Sequence, residues 1–168
     1  MDDNHTLYAP DTTDHLVALL KPAFPDFTFY DAWPNVIPPG SAWPLMIVQL
    51  LNTKPVLGPT ETDEVPETVE ITVMLNQADA AGSGNVRTTT RRRLQHLIQG
   101  QDPTVTNTYK ADSLLGVLRK YLSMDGWLIN TDIAVQYDTT PPPKDLSSMV
   151  GATITLTTWR RTIVQNRT

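Results

Sequence analysis

The chain has 168 residues, 40% of them hydrophobic and 18% charged, a size and balance that fit one globular domain with a sizeable core rather than a disordered segment. It contains no cysteine, which excludes disulfide scaffolds, thiolate zinc sites and cysteine nucleophiles and fits a reducing compartment. The net charge of −5 argues against general affinity for nucleic-acid phosphates or anionic lipid, and the longest apolar run, Leu45–Val48 with Leu50 and Leu51, falls far short of the roughly 20 residues a membrane helix needs. Met1 to His5 is polar and acidic and lacks the basic and apolar parts of a secretory signal, so the expected address is the cytoplasm.

The first predicted element is a helix from about Thr12 to Lys21, capped by Thr13 or Asp14, with Leu16, Leu19 and Leu20 on one face and Pro22 and Pro25 stopping it. Alternation over Phe27 to Trp33 predicts a strand, and the turn Pro34 to Gly40 follows. Leu45 to Leu51 is too continuously apolar for an amphipathic helix and predicts a strand buried on both faces or nearly so. Asn52 to Thr68 holds three prolines, Gly58 and the carboxylates Glu61, Asp63, Glu64 and Glu67, and it is expected to lie outside the core as an extended acidic arm. That arm is either a partner-binding extension or a floppy insertion. Val69, Ile71, Val73 and Leu75 alternate with polar neighbours and predict a half-buried strand antiparallel to the previous one.

Ala80 to Asn85 is a flexible connection. It leads to a helix near Thr88 to Gln99, with Leu94, Leu97 and Ile98 as the apolar stripe and Gly100 as a left-handed stop. A further helix is expected from Asp112 or Ser113 to Met124, ended by Gly126. Two long strands close the chain, one with Trp127, Ile129, Ile133, Val135 and Tyr137 on a face, the other with Ala152, Ile154 and Leu156, and Thr139 to Asp145 turns between them. The order α, β, β, β, α, α, β, β predicts an α+β fold: a mainly antiparallel sheet with helices packed on one face and a long hairpin arm. Residues 1–168 form a single expected domain, with 1–10 a flexible tail and 52–68 the extended acidic arm.

Charge is divided along the chain. Residues 1–86 carry twelve acidic side chains against Lys21 and Lys54, a net of −10, whereas residues 87–168 carry eleven basic against six acidic, a net of +5. Either these charges share one ordinary surface, or they set opposite patches against each other in head-to-tail self-association, which closes into rings.

Signals for chemistry are sparse. His5, His15 and His96 lack the partner spacing of a zinc or general-base site, and no nucleophile elbow, Walker loop or dinucleotide fingerprint occurs. Gly82-Ser83-Gly84 reads as linker, and the arm carboxylates read as a solvated acidic loop. No catalytic group, cofactor or metal is expected. Arg87 with Arg91, Arg92 and Arg93 opens a helix whose positive end disfavours cations by some tenths of a kcal/mol each, so a solvated helix end, a neighbour's acidic arm and phosphate are the three readings. The tryptophans Trp33, Trp43, Trp127 and Trp159 suit core or interface packing. The candidate interface residues are therefore Glu61, Asp63, Glu64 and Glu67, the four arginines just named, and Trp159, Arg160 and Arg161 near the end of the last strand.

The layout resembles the tail terminator subunits of long-tailed bacteriophages. The likeness rests on the helix Leu16 to Leu20, the strand Trp43-Pro44-Leu45-Met46-Ile47-Val48, the arm before Val69 to Leu75, the helix with Arg91 to Ile98, Gly126-Trp127-Leu128-Ile129, and the ending Gly151 to Thr157. It covers most of the chain, although Asn52 to Thr68 and Thr139 to Ser148 are longer than a minimal member needs. The resemblance implies a virion structural protein, assembled in the host cytoplasm. Copies, commonly six, would form a ring that stops tail-tube growth and meets the head connector. It implies no catalytic residue, no membrane contact, and DNA only as passing cargo. Another neck or baseplate role and a nucleic-acid-binding module using Arg87 and Arg91 to Arg93 stand as alternatives.

Overall fold

The first helix begins on a side chain that satisfies its free amides. The computed structural model of the chain describes residues 11–36, 39, 43–57, 62–76, 86–120, 123–124, 127–137 and 149–163. Helix α1 spans Thr12–Leu20, and Asp11 is its N-cap. The Asp11 carboxylate accepts from the amides of Thr13 and Asp14, and the Asp14 carboxylate accepts from the amide of Asp11. The cap thus falls before Thr13 and Asp14, because Thr12 already belongs to the helix and Asp14 serves as the third residue of a reciprocal capping box.

Burial pushes the Asp11 carboxyl up, but hydrogen bonds from the Thr13 side chain and from the Asp14 and Thr13 amides outweigh it and hold it below the usual aspartate value. A carboxyl lowered on folding contributes stability that is present above its unfolded value and lost as pH falls through its folded one. Asp11→Ala is therefore expected to cost about 1 kcal/mol near neutral pH, with the gap to wild type closing in acid, as urea melts over a pH series would record.

Seven strands form one sheet in the order β1-β2-β4-β7-β6-β5, with β3 pairing to β4. β1 (Thr28–Tyr30) is shorter than the alternation over Phe27 to Trp33 predicts and runs parallel to β2 (Leu45–Thr53). β2 and β4 (Thr62–Asn76) form an antiparallel hairpin that also contains β3 (Val56–Leu57). β4 pairs along all fifteen residues with β7 (Met149–Ile163), which pairs on its other side with β6 (Trp127–Tyr137). The short β5 (Ser123–Met124) flanks the start of β6. Every pairing except β1 with β2 is antiparallel, the mainly antiparallel α+β sheet that the element order predicts.

The three helices share one face of this sheet. Leu16 and Leu20 of α1, Leu94 and Ile98 of α2 (Val86–Gln99), and Leu114, Leu115, Val117 and Leu118 of α3 (Leu114–Lys120) bury against Met46 and Val48, the alternating run Val69 to Leu75, and Val150 to Leu156. These side chains recur at helical spacing on one partner and at every second position on the other, so both periodicities point into one core. Leu45 and Ile47 are also fully or almost fully buried, with Met74, from the opposite face, so the start of β2 is buried on both sides as its apolar run predicts.

Several boundaries differ from the sequence expectation. α3 ends at Lys120, and Ser123–Met124 is strand rather than the last turn of a helix reaching Met124. Gly100 does end α2, but its φ is not left-handed; a Cβ there would lie 2.4 Å from the carbonyl oxygen of His96, so close approach requires glycine. The tail 1–10, the connection 80–85, Gly126 and the turn 139–145 lie outside the described residues.

Candidate functional site

The segment expected to be an extended acidic arm outside the core is a continuation of the sheet. β2 pairs through Thr53, β3 resumes at Val56 opposite Glu64, and β4 starts at Thr62, so of 52–68 only residues 58–61 fall outside the described chain. Pro55 and Pro66, two of the prolines that suggested a loop, sit where the pairing is interrupted. Lys54 donates its amide to the carbonyl of Pro66 at 3.0 Å, and an antiparallel residue turns both backbone groups toward the same neighbour, so Pro66 directs its donorless nitrogen at the gap between β2 and β3. An extra residue, Leu51, forms a bulge between the pairs Leu50 with Val69 and Asn52 with Thr68.

The hairpin carries the acidic residues on both faces of β4. Glu64 lies directly across from Arg161, with 3.5 Å between Oε1 and Nη2, an exposed pair of small energetic weight. Glu67 is different. It is 3% exposed, on the helix-covered face, and its carboxylate accepts from Arg160 Nη2 at 3.1 Å and from the hydroxyl of Thr12 in the first turn of α1. This corrects the expectation of a solvated acidic loop: at position 67 the strand alternation turns the side chain inward, and two long-range partners hold it there. Next to it, Thr158 is fully buried and its hydroxyl has no hydrogen-bond partner among the described residues.

Among the predicted interface residues, Asp63, Glu64, Glu67, Trp159, Arg160 and Arg161 come together on the paired ends of β4 and β7. Trp159 lies across from Pro66 and is 38% exposed. Arg91, Arg92 and Arg93 are exposed on α2, in the helical layer, with Arg119 and Lys120 exposed at the end of α3. Glu61 and the side chain of Arg87 lie outside the described residues.

No protein-family model matches the chain, and no curated protein matches it in sequence.

The most distinctive surface was missed by the sequence analysis. Leu50, Leu51, Val56 and Leu57 are 41, 54, 46 and 68% exposed, and all four lie on the β2–β3 side of the hairpin. Their apolar run points to burial when taken alone; only the strand order shows that this stretch forms the sheet's margin. Two shallow clefts lie near α1. One of about 290 Å³ is lined by Thr13, Asp14, Val17, Phe29, Tyr30 and Asp31, the other of about 350 Å³ by Leu19, Pro22, Val117, Lys120 and small neighbours. In the first, the Asp14 carboxylate accepts from the Asp11 amide and the Thr13 hydroxyl donates to the Asp11 carboxylate, so both serve the helix cap. Among the described residues no three histidine or carboxylate side chains cluster at metal-binding distance, and no helix is long and apolar enough to cross a membrane. Burial, with a smaller contribution from Tyr109, pushes the Tyr137 phenol up, which fits a ring packed against the core rather than an acid–base group.

Proposed function

We propose that this protein is an architectural subunit of a long-tailed phage virion, one whose copies close into a ring that ends tail-tube growth and joins the tail to the head connector. The observation that carries the reading is the apolar margin of the hairpin, where four large aliphatic side chains stand in solvent along one edge of the sheet. An apolar sheet edge of that kind is open to pairing with another chain. The resemblance of the element layout to tail terminators supplies the assembly, and the division of charge into an acidic first half and a basic second half suits contacts between unlike surfaces of neighbouring copies. Glu64 and Glu67 are engaged by Arg161 and Arg160 of the same chain, so they stiffen the hairpin that a neighbour would meet. The work of such a subunit is structural, with the tail-tube protein and the connector as partners and no catalysis.

Native mass measurement and electron microscopy of the purified protein mixed with tail tubes test this reading. Closed rings, alone or seated on tube ends, are the expected result; a strict monomer that never associates with tubes overturns it. A second reading, nucleic-acid binding, is favoured by the exposed Arg91, Arg92 and Arg93 on α2 and the exposed Arg119 and Lys120 on α3, which packs against α2. Phosphate-driven affinity of that origin would fall steeply between low and physiological salt, and no binding at low salt dismisses it.

A further inference from the structure

The sheet has two margins that no described strand covers. β1 pairs with β2 only opposite Leu45 to Ile47, so on the side away from β4 the run from Val48 to Thr53 and the short β3 have no described strand beside them. At the other end, β5 pairs with β6 only at Trp127 and Leu128; the β6 ladder is irregular between Ile129 and Ile133, and the regular stretch from Ile133 to Tyr137 has no described strand on its outer side. Monomeric proteins protect such edges with charge, proline or a covering element. Here the stretch Val48 to Leu57 has Lys54 as its single charge, is interrupted only by the Leu51 bulge and Pro55, and exposes Leu50, Leu51, Val56 and Leu57.

We propose that the β2 edge of one copy receives the β6 edge of the next as an added antiparallel strand, so that neighbouring subunits share a continuous sheet. The proposal rests on the ring reading above and names its contact. Strand direction fits: β2 and β7 run one way and β4 and β6 the other, so β6 of one copy placed beside β2 of another keeps the alternation unbroken. Position fits as well. Through β4, Val48 lines up with Ile154 and Thr53 with Thr158 of β7, while the regular part of β6, Ile133 to Tyr137, lies against Leu156 to Ala152, so the two open runs overlap at the height of Ile154 to Leu156. The charges are opposite, since Lys54 is exposed on one edge and Asp132 on the other.

Pro55 limits the added pairing. Lys54 turns its amide inward to Pro66, so the next residue faces outward, and a proline there has no hydrogen to donate. Strand addition therefore ends at Thr53 and leaves Val56 and Leu57 as an apolar overhang for the neighbour's surface. Pairing β2 with a second β2 about a two-fold axis is the competing arrangement, and it yields a closed dimer, not a ring.

The absence of cysteine makes a cross-linking test clean. Single-cysteine variants on one edge (N52C, T53C) and on the other (D132C, A134C, Q136C) are mixed in pairs and treated with a short bismaleimide. Mixed pairs across the two edges are expected to cross-link about tenfold faster than any variant with itself, and the double substitution L51K/L57K is expected to weaken self-association by about tenfold or more while keeping the wild-type melting curve. Self-linking of T53C at the rate of the mixed pairs, or full-strength rings from L51K/L57K, overturns the edge pairing and leaves the ring reading standing. A wild type that is monomeric at every concentration and ignores tail tubes overturns the ring reading, and the edge pairing with it. The cysteine panel carries the test should the lysine pair fail to fold.

Discussion

Replacing Arg160 by alanine is expected to cost about 3 kcal/mol of folding stability, seen as a lower urea midpoint with an unchanged slope. The loss comes from what the substitution leaves behind. The Glu67 side chain is 4% exposed, faces the helix-covered side of the sheet, and meets Arg160 at 3.1 Å. Without the guanidinium, that carboxylate keeps only the Thr12 hydroxyl as a described partner, beside the buried Val65 and Thr158. Desolvated charge without a counter-charge is among the costliest defects a single substitution creates, about 3 to 5 kcal/mol when one member of a buried pair is removed. Arg160 itself is 32% exposed, which lets some water reach the pair and places the expectation at the lower end.

The reverse substitution separates charge from packing. Glu67→Leu is expected to cost less than Arg160→Ala, because a partly exposed arginine can turn to solvent whereas the carboxylate at position 67 cannot. The double variant E67L/R160M is expected to recover most of the loss, since a matched apolar pair is often as stable as the ion pair it replaces. A cycle of the four proteins measures the coupling. If Arg160→Ala lies within about 0.5 kcal/mol of wild type, the pair is only a surface contact and the account of Glu67 fails.

That pair also shows why part of this fold could be inferred from sequence and part could not. Alternation over Val69 to Leu75, helical spacing over Leu16 to Leu20 and Leu94 to Ile98, and the inward face of β7 are local patterns, and the core they predict is the core that forms. The same period-2 pattern continues backward through Glu67 to Val65, but a carboxylate at an inward position is acceptable only if a cation meets it. Arg160 is 93 residues away in the chain. Prolines 55 and 66 read as breakers because nothing local reveals that both fall at a single interruption of one ladder. The aliphatic margin Leu50 to Leu57 was hidden for a related reason: whether an apolar strand is central or at an edge depends on strand order, which is set by pairings between distant segments. The arginines of α2 did stand out locally, and the structure places Arg91, Arg92 and Arg93 on the solvent side of the helical layer.

Gly116→Ala is expected to destabilise the protein by about 2 to 3 kcal/mol, although the helix propensities alone favour alanine over glycine by about 1 kcal/mol. Gly116 lies in the first turn of α3, where its amide donates to the Ser113 hydroxyl at 3.1 Å and that hydroxyl donates to the Lys110 carbonyl at 2.8 Å. A Cβ at position 116 would lie 1.9 Å from that same carbonyl oxygen and 2.9 Å from Ser113 Oγ, so backbone has to move. Neither side can yield cheaply. Lys110 is tied back by its amide to the Gly100 carbonyl at 2.8 Å, and α3 is fixed from the other direction by Leu114 and Leu118, both fully buried. The methyl group therefore breaks the helix cap or lifts the leucines from the core, and either outcome outweighs the propensity gain. For a chain of this length the expected drop in Tm is roughly 5 to 10 °C, measurable by circular dichroism. A variant as stable as wild type would mean that the loop carrying Lys110 relaxes freely, and the close approach that explains a glycine inside this helix would lose its force.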